Sequence, residues 1–147
     1  MYEGGAVQNP QEHTVVGNRG LERVERKGSR LRLVPYVYAF DHKHRRPPME
    51  MKDLLGGKGA NLAEMMSVLQ LPVPHGFTIT TDACRAYMHS GWPKGIDEEI
   101  KKHVASLEKK MGRALGDAHD PLLVSVRSGA KFSMPGMMET VLNVGMS

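Results

Sequence analysis

Two cations set among glycines are the residues of this sequence best suited to chemistry. Arg127 closes the apolar run Leu122, Leu123, Val124, Val126 and leads into Ser128, Gly129, Lys131, Ser133 and Gly136. A guanidinium at the end of a strand is held by its scaffold and offers a planar fork to phosphate oxygens, while a glycine-rich turn exposes backbone N–H groups to the same oxygens. The second cation, Lys58, is ringed by Gly56, Gly57 and Gly59 just ahead of a helical pattern. There backbone donors, the helix dipole and an ammonium all favour an anion. It is not a Walker A loop, because Lys58 is followed by Gly59 and Ala60 and no hydroxyl is placed to hold magnesium. A hairpin with a basic surface loop, and a glycine loop with a solvated lysine, have the same local chemistry, and both stay open on the residues alone.

The elements that must carry these loops can be read in outline. The apolar run from Leu122 to Val126 has the character of a strand buried on both faces, with a hairpin strand after it. Tyr36 to Phe40, YVYAF, has the β-branched and aromatic content of an opening strand. Ala60, Leu62, Ala63, Met65, Met66 and Leu69 give the helix after Lys58 an apolar side, and Pro72 limits it. A short strand over Phe77 to Thr80 follows. Thr81 is placed to cap a helix from Asp82 to about Ser90, with Ala83, Cys84, Tyr87 and Met88 inward and Gly91 as the stop. Asp97 to Met111 is the clearest helix: Ile100, Val104, Leu107 and Met111 recur at helical steps, acids begin it, and Lys109 and Lys110 end it before Gly112. The order predicts an α+β fold with α/β-like layers rather than a repeat or a bundle.

Outside that frame, residues 1–35 read as a poorly ordered N-terminal arm interrupted by Gly4, Gly5, Gly17, Gly20 and Gly28, with little core. Its arginines suit a solvated tail better than an acidic partner, and it has neither the apolar segment of a secretory signal nor the acid-poor composition of a transit peptide. His42 and His44 alternate, but Pro47 and Pro48 follow and Asp41 is the only carboxylate close by in the sequence, so DHKHRRPP reads as a solvent loop rather than a metal site.

Composition bounds the rest. The chain of 147 residues is 40 % hydrophobic, enough for one domain core, and carries a formal net charge of +4. Its 16 acidic residues are mixed among 20 basic ones, so no nucleic-acid track is indicated. Cys84 is the only cysteine, which excludes an intramolecular disulfide and a cysteine-rich zinc site and fits a reducing compartment. No apolar run approaches the roughly 18 residues of a membrane span.

With both loops quoted, a resemblance can be stated. From Tyr36 to Ser147, through GGKGANLAEM, VPHGFTITT and LLVSVRSGAKFSMPGMMETVLN, the sequence resembles the nucleotide-binding domain of the pyruvate, phosphate dikinase family. SGAKFSMPGMM is similar to the phosphate-dependent branch rather than to the water-dependent one. The resemblance implies the first part of an ATP-grasp-type nucleotide-binding domain. The family's reaction splits ATP with inorganic phosphate as co-acceptor, yields AMP and pyrophosphate, and passes phosphate by way of a histidine to pyruvate, making phosphoenolpyruvate. Carried over by position, Lys58 and Arg127 would act on the nucleotide phosphates. Gly136 would bring backbone close to them, and Ser128, Gly129, Met134, Pro135 and Met137 would shape the loop.

Members of the family are several times longer, so the resemblance also implies an incomplete domain, truncated and inactive by itself. The phosphorylated histidine, the pyruvate barrel and the carboxylates that bind Mg2+ would lie outside this chain. Expected partners are ATP, phosphate and the missing C-terminal part of the enzyme, with a homodimer contact conceivable, no nucleic acid and no membrane, in the cytoplasm. The alternative is a non-catalytic nucleotide- or anion-binding module with a regulatory or interaction role.

Overall fold

The computed structural model describes residues 12–17, 20–27, 30–129 and 139–146. The chain divides into two units, Met1–Pro35 and Tyr36–Ser147. In the first, strands β1 (Glu12–Gly17), β2 (Gly20–Lys27) and β3 (Arg30–Leu33) form an antiparallel sheet in the order β1-β2-β3. Of the glycines read in the sequence as interruptions of an arm, Gly17 ends β1 and Gly20 opens β2, and the two face each other in the register; Gly4, Gly5 and Gly28 lie outside the described residues.

The second unit opens with β4 (Val37–Ala39) and, after a single 3-10 turn over Pro48–Met51, continues with α1 (Lys52–Ser67), β5 (Phe77–Ile79), α2 (Thr81–Ser90) and α3 (Ile96–Met111). It closes with β6 (Val124–Arg127) and β7 (Thr140–Val144). β4 pairs with β5, and β6 with β7, both antiparallel. The architecture is mixed helix and small antiparallel sheets, an α+β arrangement; no parallel pair of the kind found in α/β layers occurs among the described residues. No helix among them is long and apolar enough to cross a membrane.

Two small apolar clusters hold this unit. Val37, Ala83 and Ile96 pack together under Tyr36, Phe77 and Ile100, joining β4, β5, α2 and α3. Leu55, Ala60 and Ala63 of α1 pack with Tyr38, Met51 and Leu54. α3 forms for the reasons its sequence gives: Asp97, Glu98 and Glu99 occupy the first turn and Lys109 and Lys110 the last, each complementing the helix dipole. Gly95 and Gly112 bound it in left-handed backbone, at φ 84° and 67°, where a side chain would be strained.

Three expectations need correction. The cap of α2 is Thr80, whose hydroxyl accepts the Ala83 N–H at 3.3 Å, and Thr81 is the first helical residue. The inward face of α2 is narrower than its periodicity suggests: Ala83 is buried, but Cys84, Tyr87 and Met88 are exposed. α2 packs mainly against α1, and Ala83 is its one buried residue. Finally, the run ahead of Arg127 is not buried on both faces. Leu122 is 4 % exposed, yet Leu123 is 46 % and Val126 55 % exposed, because β6 belongs to a two-stranded ladder among the described residues.

Candidate functional site

Lys58 stands inside a helical span rather than ahead of it. α1 starts at Lys52, but Gly56 leaves helical space at φ 71°, ψ 167°, a region open in practice to glycine only, so the span is two helical pieces joined at a kink. The glycine loop expected from the sequence is therefore compressed into one residue. Gly57, Lys58, Gly59 and Ala60 make the first turn of the second piece. Leu55, Gly56, Gly59, Ala60 and Ala63 are buried, whereas Lys58 is exposed. Lys58 has no ion-pair partner among the described residues.

Neighbouring elements fix this turn from both sides. A Cβ on Gly59 would lie 2.8 Å from Thr78 Oγ1 and 2.9 Å from Thr78 Cγ2, so α1 approaches β5 as closely as a bare Cα allows. Ahead of the kink, the Thr81 hydroxyl donates to the backbone carbonyl of Asp53. The sequence reading missed both contacts. The cluster Thr78, Thr80, Thr81 at a strand-to-helix corner was the available signal, although nothing in it says which hydroxyl turns toward α1.

Arg127 is the last residue of β6 and lies opposite Thr140 of β7. Its side chain is exposed and likewise has no ion-pair partner among the described residues. Directly after it, the backbone N–H and the hydroxyl of Ser128 both donate to the Glu139 carbonyl, each at 3.1 Å, and close the neck of the hairpin. Ser128 is thus a structural clasp at this point. Gly129 is exposed, and a Cβ there would meet nothing within 4 Å. Met134, Pro135, Gly136 and Met137, with Lys131 and Ser133, lie outside the described residues.

The histidines of the loop after β4 pack as rings. His42 and His44 meet edge to face with centroids 4.6 Å apart, and each lies 5.0 Å from the Tyr38 ring. Burial, reinforced by the charge of His42, pushes the His44 pKa down from 6.5 to about 4, so His44 is neutral at physiological pH. On α3, His103 lies 5.6 Å from the Phe77 ring and burial also lowers its pKa. No group of three metal-ligating side chains occurs among the described residues.

Comparison with known proteins defines the class first. Residues 52–94, which hold the kinked helix, Lys58, β5 and α2, match the family described as pyruvate phosphate dikinase, AMP/ATP-binding domain. Over that segment the second unit is similar to a domain described as AMP/ATP-binding. Over 117 residues the chain is 50 % identical to pyruvate, phosphate dikinase of Rhizobium meliloti (strain 1021), covering 78 % of this chain and 13 % of that protein. It is 49 % identical over 119 residues to pyruvate, phosphate dikinase of Clostridium symbiosum, again covering 78 % and 13 %. With pyruvate, phosphate dikinase 2 of Zea mays it shares 57 % identity over 99 residues, or 66 % of this chain and 11 % of that protein. The chain is related to the pyruvate, phosphate dikinases and spans 11 to 13 % of the length of these three relatives.

Proposed function

We propose that the chain supplies part of the ATP-phosphate grip of a phosphotransferase of the pyruvate, phosphate dikinase type, built on an ATP-grasp architecture. The observation that carries this reading is Lys58. It is exposed, it stands in the first turn after the Gly56 kink, and it falls within the segment that matches an AMP/ATP-binding domain. The amides of Gly57 to Ala60 and the Lys58 ammonium would hold phosphate oxygens of ATP, where donors and positive charge are fixed before the ligand arrives. Arg127 would close on the same polyphosphate with its planar fork, at a hairpin neck stiffened by Ser128. Gly129, Met134, Pro135, Gly136 and Met137 would form the loop around the nucleotide. Mg2+ would be held by carboxylates elsewhere in the enzyme and would neutralise charge on the phosphates.

In this reading the chain works with the rest of a cytoplasmic dikinase, which would carry phosphate onward from ATP and inorganic phosphate to pyruvate. Calorimetric titration of the full chain with ATP and magnesium tests the grip. Lys58→Ala and Arg127→Ala are each expected to weaken binding about tenfold or more, since a charge-assisted hydrogen bond contributes about 1.5–3 kcal/mol. Unchanged affinity in both variants would remove the site. Mixing the chain with the remainder of a related dikinase and measuring pyrophosphate then separates the enzyme reading from a non-catalytic nucleotide-binding module, which would bind ATP and add nothing to turnover.

A further inference from the structure

We infer that Thr81 is a positioning residue for Lys58, acting through the backbone of α1. The inference rests on Lys58 being the phosphate-gripping cation. A helix interrupted at one residue leaves carbonyls before the break out of line with amides after it, and those carbonyls need other donors. At Gly56 the break lies between Asp53, three residues before it, and Gly59, three residues after it. The Thr81 hydroxyl donates to the Asp53 carbonyl, and the Thr78 side chain abuts Gly59.

One corner, the junction of β5 and α2, therefore holds α1 on both sides of its kink. The corner is itself rigid. Thr80 is 1 % exposed and caps α2, and its N–H donates to the Tyr36 carbonyl at 2.8 Å, continuing the β4–β5 pairing. The adjacent threonines divide the work: Thr80 faces its own helix, and Thr81 reaches the helix that carries Lys58. Without the Thr81 clamp the turn Gly57–Ala60 would sample other orientations, and amides and ammonium would no longer be held together before ATP binds.

Thr81→Val removes the hydroxyl at nearly constant bulk, and Thr81→Ser keeps it. On the full chain titrated with ATP and magnesium, Thr81→Val is expected to lose about five- to tenfold in affinity, while Thr81→Ser stays within about twofold of the parent. In a Lys58→Ala background Thr81→Val should bring a clearly smaller loss, left to the amides alone, whereas a merely structural residue would weaken both backgrounds equally. Hydrogen exchange provides a readout that needs no ligand: the amides of Asn61 to Glu64, in the helical piece that the turn starts, should exchange faster in Thr81→Val while those around Leu107 of α3 do not. Parent-like exchange at Asn61 to Glu64, an equal loss in Thr81→Ser, or additivity with Lys58→Ala would each overturn the inference. If Lys58→Ala leaves ATP binding unchanged while Thr81→Val still loosens those amides, the clamp stands and the phosphate reading of Lys58 fails.

Discussion

Glu99 Oε2 lies 2.9 Å from the backbone nitrogen of Val37 and accepts its N–H, and the same oxygen accepts the N–H of Tyr36 at 2.8 Å. One carboxylate in the first turn of α3 thus satisfies two amides at the start of β4, beside the buried Val37 side chain. Removing it would leave two partly buried donors unpaired. Glu99→Ala is expected to destabilise the second unit by about 2–4 kcal/mol, at about 1–2 kcal/mol for each abandoned donor, and Glu99→Gln by less because its carbonyl oxygen can still accept both N–H groups, without the charge. Urea midpoints of the two variants check this, and equal midpoints for parent and alanine variant would show that Glu99 does not anchor β4.

Gly59 presents the opposite situation, a place where one atom is too many. A methyl there would press on Thr78 Oγ1 and Cγ2 at 2.8 and 2.9 Å, so Gly59→Ala forces α1 away from β5 despite alanine's better helix propensity. The expected net cost is about 1–3 kcal/mol. Pairing it with Thr78→Ala should recover part of that loss, since the crowding belongs to the pair. A double-mutant cycle on thermal midpoints tests the point, and strict additivity would place the strain elsewhere.

How much of this was legible in the letters depends on what kind of force decides each residue. α3 could be read because Ile100 and Leu107 at helical steps, three acids, two lysines and Gly112 all agree. The strands around Val37 and Phe77 were legible for the same reason, as was the basic character of the turn at Lys58. The Gly56 kink was visible only as a glycine-rich stretch: Gly56, Gly57 and Gly59 look alike in sequence, and tertiary contact chooses which one leaves helical space. Thr80 and Thr81 are equally good caps by type, and one residue of register decided between them. Tyr87 and Met88 followed the helical period but stay exposed, with no helix or strand among the described residues to bury them, and Leu123 and Val126 had strand character without a second layer there. The clamp from Thr81 to Asp53 joins residues far apart in sequence and has no local signature.

The kink itself can be tested. Gly56 at φ 71°, ψ 167° holds a conformation that a Cβ opposes by about 1–3 kcal/mol. Gly56→Ala is therefore expected to lower the unfolding midpoint or to drive α1 toward one continuous helix. A straightened helix would draw the amides of the turn at Gly57 to Gly59 into its own hydrogen bonds and away from a phosphate, so ATP affinity should fall even where stability is recovered. Circular dichroism and ATP titration together resolve the outcomes, and a variant with parent-like stability and parent-like affinity would deny the kink any role.

Protonation of the histidine cluster gives the chain a specific pH response. His44 has its Nε2 buried without a hydrogen-bond partner and its ring packed on His42 and Tyr38; burial first, and the charge of His42 second, hold its pKa at about 4 instead of 6.5. Because the folded form resists the proton, the unfolded chain binds it first as the pH falls. The stability that depends on neutral His44 is whole above about pH 6.5, drains between 6.5 and 4, and changes no further below that. His103 acts in the same direction, since burial outweighs the nearby Glu99 charge. Asp41 enters lower: its hydrogen bond from Lys110 depresses the carboxyl below 3.8, and that contribution disappears as the pH falls through its folded value. His44→Phe keeps an aromatic ring against His42 and Tyr38 and cannot be protonated. The variant should match the parent near pH 7.5 and outlast it near pH 5 in urea titrations. Parallel stability curves for the two proteins across that interval would mean that His44 is not the residue that senses acid.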